Sequence, residues 1–328
     1  MAANIGTGSY CRIIRIQTGV NNLVCSSCQW IAITSRHCLF IMGNEFNSVK
    51  TIQKQFNSEY SRWLSAIGHA FAKWSKSPQR IWTSMKVDIN CDLGEGITQS
   101  DCENDALLMP FISRCNIACG GHAGNDLTMK LSVKNAIQNN LKIGAHPGYP
   151  DFENFGRLTM NIPIESLLDE IQEQVNKLQG ILQYFNAKLD HIKFHGALYN
   201  DIEKSPILAK QIAHFLSNNY PTLRIIGLAD GLLQQNCIDL DLKFLKEAFI
   251  DRRYQTNRQL SARTLQGAVI TEQVLAIEQA LAIARKESIR TIDKQSIIID
   301  ADTLCLHGDN KNSLAIAKSI HHSLIKME

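Results

Sequence analysis

The chain has 328 residues, 45% of them hydrophobic and 20% charged, a composition that supports one large buried core or two smaller ones. Its formal net charge of +3 is unevenly distributed, because nine basic and only two acidic residues precede Met85, which leaves 25 basic and 29 acidic residues from there onward. An acidic main region without a basic stripe argues against a nucleic-acid partner.

Residues 1–84 differ in character from the rest of the chain. All four tryptophans lie there, and no convincing hydrophobic period runs through the segment. Its apolar runs are far shorter than the ~20 residues that a membrane span needs, so no membrane association is expected. Cys25 and Cys28 form a single CxxC pair, which favours incidental cysteines over a metal or redox site. We interpret residues 1–84 as an N-terminal extension of unknown role: a poorly ordered segment, a targeting segment, or translation from a start upstream of the natural one.

The ten cysteines are scattered along the chain rather than spaced as a disulfide framework. Several lie in apolar runs that are typical of buried strands: Cys91, Cys115, Cys119 and Cys305. Free buried cysteines are typical of a reducing compartment, so the sequence predicts a cytoplasmic protein.

From Met85 onward, predicted strands alternate with helices. The strands are residues 86–91, 113–119, 142–146, 190–195, 224–228, 244–249 and 297–300, the last with an optional continuation to His307. The helices are residues 164–185, 207–216 and 272–286, and the first is the clearest because Pro163 precedes it and apolar residues recur at helical spacing.

Alternating strands and helices predict a parallel sheet. Seven such units in residues 85–328 favour an α/β fold, a distorted seven-stranded parallel (βα) barrel, over a doubly wound sheet. No GxGxxG motif follows the first strand and no GxxxxGK[ST] motif occurs, so neither a dinucleotide site nor a P-loop is expected.

The stretch CNIACGGHAGND, residues 115–126, shows the pattern that organises this region. An apolar run ends at a Gly-Gly pair, and His122 follows directly. Glycine there permits positive φ and a close approach of ligand to the main chain, while Asn125 can cap a helix that begins near Leu127.

Polar residues follow other predicted strands in the same way. Because the carboxyl ends of barrel strands face one mouth, we expect a set of candidate catalytic side chains to meet there: Asp92, Glu95, His122, His146, Lys193, His195, Asp251 and His307. Four histidines at four strand ends favour a functional over a structural interpretation. The carboxylates could act as general bases, orient an imidazole or hold a divalent metal, and no HxxxH or HExxH pair decides the metal question.

Arginines near strand ends are candidates for binding an anion, because a planar guanidinium pairs with carboxylate or phosphate through two hydrogen bonds. Surface salt bridges are the alternative interpretation. The candidate substrate-binding residues are Asn116, Arg157, Tyr199, Arg252, Arg263 and Asp309.

Six segments together resemble the LamB/YcsF family of lactam-utilisation proteins: DINCDLGEG, NIACGGHAG, IGAHPGYPDFENFGR, KFHGALYN, EAFIDRRY and CLHGD. The match runs in the family's order and spacing from Met85 almost to the C-terminus. One departure is Gly121, which stands where the family usually has an aromatic residue.

The resemblance implies a barrel similar to that of glycoside hydrolases and deacetylases. It also implies ATP-dependent opening of 5-oxoproline to glutamate, with ATP as co-substrate and two partner subunits, B and C. In that reaction we expect Asp92 or His122 as the base, His195 or His307 as the acid, and Arg252 or Arg157 at the substrate carboxylate or phosphate. Without a P-loop in this chain, ATP is expected to bind largely at the partners or at a joint surface.

Two other functions remain open from the sequence. The first is a stand-alone metal-dependent hydrolase of the deacetylase type, which would act on a carbohydrate or an amide. The second is a non-catalytic protein that binds a lactam within a complex, although a binding module needs few acids and bases.

Overall fold

The computed structural model describes residues 87–308 and 312–326, together with the backbone of five strands within residues 1–41. The chain divides into two compact units, Met1–Ser75 and Lys76–Glu328. In the first unit the strands form an antiparallel sheet in chain order: β1 (Asn4–Ile5), β2 (Ser9–Arg15), β3 (Asn21–Cys25), β4 (Cys28–Thr34) and β5 (His37–Ile41). The role assigned to residues 1–84 stays a prediction.

The second unit contains a closed barrel. The described strands of this unit, in chain order, are β6 (Asp88–Leu93), β7 (Arg114–Ala118), β8 (Lys142–His146), β9 (His191–Lys193), β10 (Arg224–Leu228), β11 (Lys243–Phe249), β12 (Ile289–Arg290), β13 (Ser296–Ile297) and β14 (Thr303–His307). All but β12 and β13 belong to the barrel. Strands β6 to β11 pair successively in parallel, and β14 closes the barrel between β11 and β6. The predicted seven-stranded parallel barrel is therefore confirmed.

The last barrel strand differs from the prediction. Residues 297–300 do not form it, because β13 pairs antiparallel with β12 outside the barrel and the barrel strand begins at Thr303. Both runs are rich in residues that favour strands. Ile298 is 51% exposed, whereas Leu304 and Cys305 are fully buried, and a strand that closes a parallel barrel must be buried on both faces.

The helices are α1 (Gln99–Ala106), α2 (Asp126–Gln138), α3 (Ile164–Tyr184), α4 (Gly196–Ile202), α5 (Pro206–Asn219), α6 (Leu232–Asp239), α7 (Gln273–Ala284) and α8 (Ser313–Lys326), with a 3₁₀ turn at Met109–Phe111. Helix α3 buries a single stripe that includes Leu167, Ile171 and Leu178. Asn125 caps α2, as the sequence predicts, by accepting hydrogen bonds from the first-turn amides. In the described part of the chain, no helix is long and apolar enough to cross a membrane.

Strand register brings distant polar residues side by side. Asp92 on β6 is level with Asn116 on β7 and with His307 on β14. Because side chains alternate along a strand, Asn90 and Asp92 point to the same side of β6. The barrel interior therefore carries polar groups directly below the mouth.

Candidate active site

Four consecutive strands each deliver one side chain to a single cluster. Glu95 follows β6, His122 follows β7, His146 ends β8, and His195 follows β9 as the N-cap of α4. The Glu95 Oε1 atom lies 3.4 Å from His195 Nδ1, 3.6 Å from His122 Nε2 and 4.0 Å from His146 Nε2. His146 Nε2 and His195 Nδ1 are 3.0 Å apart. We call these four residues the histidine cluster.

The rings of His122 and His195 stack in parallel, with centroids 3.6 Å apart. Both side chains are buried, and burial lowers the pKa of each well below the usual histidine value. Neighbouring imidazoles lower the pKa further, because two positive charges at this distance repel. Both rings are consequently neutral near pH 7.

The loop after β8 covers the cluster and requires glycine to do so. Gly156 has φ +60°, and a Cβ there would lie 2.7 Å from the Cβ of His122. A Cβ on Gly148 would lie 3.0 Å from His122 Nδ1. The backbone carbonyl of Phe155, in the same loop, accepts a hydrogen bond from His195 Nε2 at 2.9 Å. The loop thus seals two of the imidazoles from solvent.

Lys193 lies inside the barrel, below the cluster, and is 1% exposed. Its ammonium group is 2.8 Å from Asp92 Oδ1 and 2.9 Å from Glu247 Oε1, and it also donates to Asn90 and Cys305. Burial opposes its charge, but the nearby anionic groups, led by Asp92, raise the pKa of Lys193 well above its usual value. Lys193 is therefore a buried cation that pairs with the carboxylates of Asp92 and Glu247 below the histidine cluster.

Asn116 is also fully buried. Its amide nitrogen donates to Asp92 Oδ1 at 2.7 Å and to Asn90 Oδ1 at 2.8 Å, and its oxygen accepts from His191 Nε2 at 2.8 Å. The structure therefore places this candidate substrate-binding residue in the network that orients Asp92.

His307 lies on the other side of Asp92 and is held by two partners. The Asp251 oxygens lie 2.9 and 3.0 Å from His307 Nδ1, and Arg263 Nη2 lies 3.1 Å from His307 Nε2. A guanidinium can only donate, so in this arrangement the ring is neutral: Nε2 accepts from Arg263, and Nδ1 carries the proton that faces Asp251. Protonation of Nε2, which an acid role requires, would replace the contact with Arg263. Burial opposes a positive charge on the ring, but Asp251 raises the pKa of His307 above its usual value.

The remaining arginine candidates lie in different surroundings. Arg157 is exposed, and its guanidinium lies 4.9 Å from the centre of the Phe155 ring. Arg252 is buried and donates to the carbonyl of Ser261 at 2.6 Å, and burial lowers its pKa to about 10. Of the two, only Arg157 is exposed to an incoming ligand.

Tyr199 is buried on α4, with its ring edge against Phe249 at a centroid distance of 5.6 Å. Burial raises the pKa of Tyr199 well above its usual value, so it stays protonated. Asp309 lies outside the described residues.

Sequence reasoning missed several polar residues of the site: Asn90, Gln174, His191 and Glu247. The alternation of Asp88, Asn90 and Asp92 along β6 was an available signal for a polar interior face. Gln174 hydrogen-bonds both the amide and the carbonyl of Gly148, at 3.0 and 2.9 Å. A Cβ on Gly121 would lie 2.4 Å from this Gln174 amide, which explains the absence of a larger side chain at position 121.

The fold and the site define the class of protein. It is a parallel (βα) barrel whose carboxylates and imidazoles gather at the carboxyl ends of the strands, where active sites of such barrels lie. The chain belongs to the LamB/YcsF family, whose model matches residues 87–328.

Relatives of known name cover most of this region. A protein from Bacillus cereus strain AH187, named as the A subunit of 5-oxoprolinase, is 36% identical over 238 residues, which are 72% of this chain and 94% of that protein. Its counterpart from strain B4264 is 35% identical over the same shares of both chains. The crystal structure of a lactam utilization protein from Thermus thermophilus matches with a TM-score of 0.68 and 30% identity, covering 74% of this chain and 97% of that one.

Proposed function

We propose that this chain is the A subunit of a 5-oxoprolinase, which opens 5-oxo-L-proline to L-glutamate with ATP as co-substrate, together with partner subunits B and C. The observation that carries the proposal is the convergence of the histidine cluster and the Asp251–His307 pair at one barrel mouth, within the region that the family model matches. The free buried cysteines of the barrel agree with action in the cytoplasm.

The chemistry explains why ATP is needed. A lactam is an unactivated amide, so water attacks it slowly. In the proposed reaction the amide oxygen attacks the γ-phosphorus of ATP, and ADP leaves. Water then adds to the activated carbon and loses a proton to a base, and the C–N bond breaks as the ring nitrogen takes a proton from an acid. A second water releases phosphate and leaves glutamate.

The described groups suit these proton transfers. His307, whose pKa Asp251 raises, is our candidate acid for the ring nitrogen. The neutral imidazoles of His122 and His195 are the candidate proton acceptors. Asp92 is a poor base, because His146 and Lys193 hold its pKa well below the usual value in spite of burial. Arg263, at the rim beside His307, is a candidate contact for the substrate carboxylate or for phosphate.

The test is glutamate release from 5-oxoproline by this chain mixed with its B and C subunits, with and without ATP. We expect release only with ATP, and a loss of about 10²–10⁴-fold in the His307→Gln variant, as for removal of a general acid. His122→Ala should also abolish release. His214→Gln, on the exposed face of α5, is the matched control and should leave release unchanged. An intact complex that releases no glutamate would refute the proposal.

A second candidate is a metal-dependent hydrolase of the deacetylase type. The observation that favours it is the histidine cluster itself, whose four side chains offer ligand atoms within 4.8 Å of one another. It predicts hydrolysis of an acetylated sugar or amide by this chain alone, without ATP. A third candidate, a non-catalytic lactam-binding component, predicts that His122→Ala and His307→Gln leave turnover by the complex unchanged.

A further inference from the structure

We propose that Glu95, His122, His146 and His195 form a binding site for one divalent transition-metal ion, of which Zn²⁺ is the best match. The inference concerns ion binding by this chain and does not depend on which substrate the protein uses. It stands on three observations: the facing lone pairs of two imidazoles, the unpartnered nitrogens of a third, and the spacing of the ligand atoms.

The first observation concerns the protons of His146 and His195. His146 Nδ1 lies 2.8 Å from the carbonyl oxygen of Lys193, and His195 Nε2 lies 2.9 Å from that of Phe155. A carbonyl oxygen can only accept, so each of these ring nitrogens carries a hydrogen. When each ring carries only that one hydrogen, His146 Nε2 and His195 Nδ1 are bare lone pairs, and they lie 3.0 Å apart.

Two lone pairs at this distance cannot hydrogen-bond to each other. The nearest carboxylates add further acceptors, since Glu95 Oε1 lies 3.4 Å from His195 Nδ1 and Asp92 Oδ2 lies 3.3 Å from His146 Nε2. Only a positive charge placed among these atoms makes the arrangement favourable. A single shared proton would satisfy one pair of atoms, whereas a metal ion would bind His146 Nε2, His195 Nδ1 and Glu95 Oε1 together.

The second observation is His122. It is 0% exposed, and among the described residues neither of its ring nitrogens has a hydrogen-bond partner. A buried polar group is normally paired, because leaving it unpaired costs its full desolvation energy. His122 Nε2 lies 3.6 Å from Glu95 Oε1, so an ion bound by both atoms would give this buried nitrogen a partner.

The third observation is spacing. Metal bonds of about 2.0–2.1 Å in tetrahedral geometry separate neighbouring ligand atoms by about 3.3 Å. Four of the six separations are 3.0, 3.4, 3.6 and 4.0 Å, which bracket this value, and all ligand atoms lie within 4.8 Å of one another. The carbonyl contacts behind His146 and His195 are those that orient metal-binding histidines.

The ligand set selects the kind of ion. Three imidazole nitrogens and one carboxylate oxygen suit Zn²⁺ and its first-row neighbours, whereas Mg²⁺ and Ca²⁺ prefer oxygen ligands alone. A bound ion of this kind supplies a Lewis acid toward an amide carbonyl. With the ion present, the three imidazoles would serve as ligands rather than proton acceptors, and His307 would keep its proposed role.

A second group of side chains in the barrel resembles a metal site in composition, but we do not propose that it binds an ion. Asp92, Cys305 and His307 also offer ligand atoms close together. The Lys193 ammonium, however, lies 2.8 Å from Asp92 Oδ1 and 3.0 Å from Cys305 Sγ, so a cation already occupies the space among them. This group serves as the internal comparison in the test.

The experiment measures ion binding without turnover, so its failure is separable from failure of the proposed reaction. The full chain, stripped with a chelator, is titrated with Zn²⁺ and Co²⁺ and followed by calorimetry and by metal analysis after gel filtration. Because Cys25 and Cys28 could also bind Zn²⁺, the C25S/C28S double variant is the background. We expect one tightly bound ion per chain and a higher thermal unfolding midpoint with the ion than without it.

Variants then locate the ion. His122→Ala and Glu95→Gln should each weaken ion binding by at least about tenfold. Loss of a group that only orients a metal ligand already lowers affinity by that factor, and loss of a ligand should lower it at least as much. His214→Ala, on the surface of α5, and His307→Ala, in the comparison group, should bind as the background does. Glu95→Gln keeps the shape of the side chain, so it tests whether the histidine cluster binds the ion even if His122→Ala does not fold. A folded chain that binds no stoichiometric ion, or that binds equally well in the Glu95→Gln variant, would overturn the inference.

Discussion

Asp251 and His307 lie 56 residues apart in sequence, yet both carboxylate oxygens of Asp251 lie within 3.0 Å of His307 Nδ1. The parallel pairing of β11 with β14 creates this contact, because it places the ends of the two strands next to each other. The carboxylate orients the ring and stabilises its protonated form, as expected of a group that positions an acid.

The first prediction follows from that pair. Asp251→Asn removes the charge that raises the pKa of His307, so the pKa should fall. If protonated His307 is the acid, the rate declines as pH rises through this pKa, and the decline should begin at lower pH in the variant. We also expect turnover to fall by about 10²-fold, at the lower end of general-acid effects. The pH profile of glutamate release measures both effects.

Asp230→Asn is the control for this prediction, because Asp230 forms an ion pair with Arg258 on the surface. It should leave the profile unchanged. If the rate of the Asp251→Asn variant declines over the same alkaline pH range as that of the parent, His307 is not the group whose titration causes the decline.

The second prediction concerns the buried ammonium of Lys193. Lys193→Met would leave the carboxylates of Asp92 and Glu247 buried without a counter-charge. Removing one partner of such a pair costs about 3–5 kcal/mol of unfolding free energy. Lys177→Met breaks the exposed pair with Glu173 and should cost less than about 1 kcal/mol. Denaturant unfolding of both variants gives the comparison, and equal losses would show that Lys193 contributes no more than a surface pair.

The third prediction compares two glycines. Gly156→Ala places a methyl group 2.7 Å from the Cβ of His122 at a φ of +60°, so it should lower the unfolding free energy by more than about 1 kcal/mol and disturb the His122–His195 stack. Gly180 lies in α3, and outside its own stretch of helix no heavy atom lies within 4 Å of the place that a methyl group would take. Gly180→Ala should therefore stabilise the protein by about 0.5–1 kcal/mol. Thermal unfolding with an activity assay tests both, and an active, fully stable Gly156→Ala variant would show that the loop can move away.

The fourth prediction is a pH dependence of stability from Glu203. Burial raises the pKa of this carboxyl from 4.5 to about 7, although the backbone amides of Leu232 and Leu233 donate to it. The folded state therefore binds more protons than the unfolded state between those pH values. Unfolding free energy should fall as pH rises from 4.5 to about 7 and stay level above, a total on the order of 3 kcal/mol.

Glu203→Gln removes this titration. The difference between the unfolding free energies of the parent and the variant should change across that pH range and be constant above it. A difference that does not vary with pH would show that Glu203 has the same pKa in both states.

Local pattern determined much of the fold. The bounds of β8 and β10, and the start of α3, agree with the sequence predictions. Each is a contiguous run whose hydrophobic period and flanking residues are sufficient to define it. The last strand shows the limit, because 297–300 and 303–307 have similar local preferences and only pairing with β6 and β11 selects between them.

The sequence by itself determined which residue types end the strands, and therefore the candidates Glu95, His122, His146 and His195. Only the tertiary structure decided that these four form one cluster, that Lys193 lies below them as a buried cation, and that Asn116 orients Asp92. The physical reason is that strand ends are properties of neighbouring residues, whereas contacts across a barrel depend on the register of strands far apart in the chain.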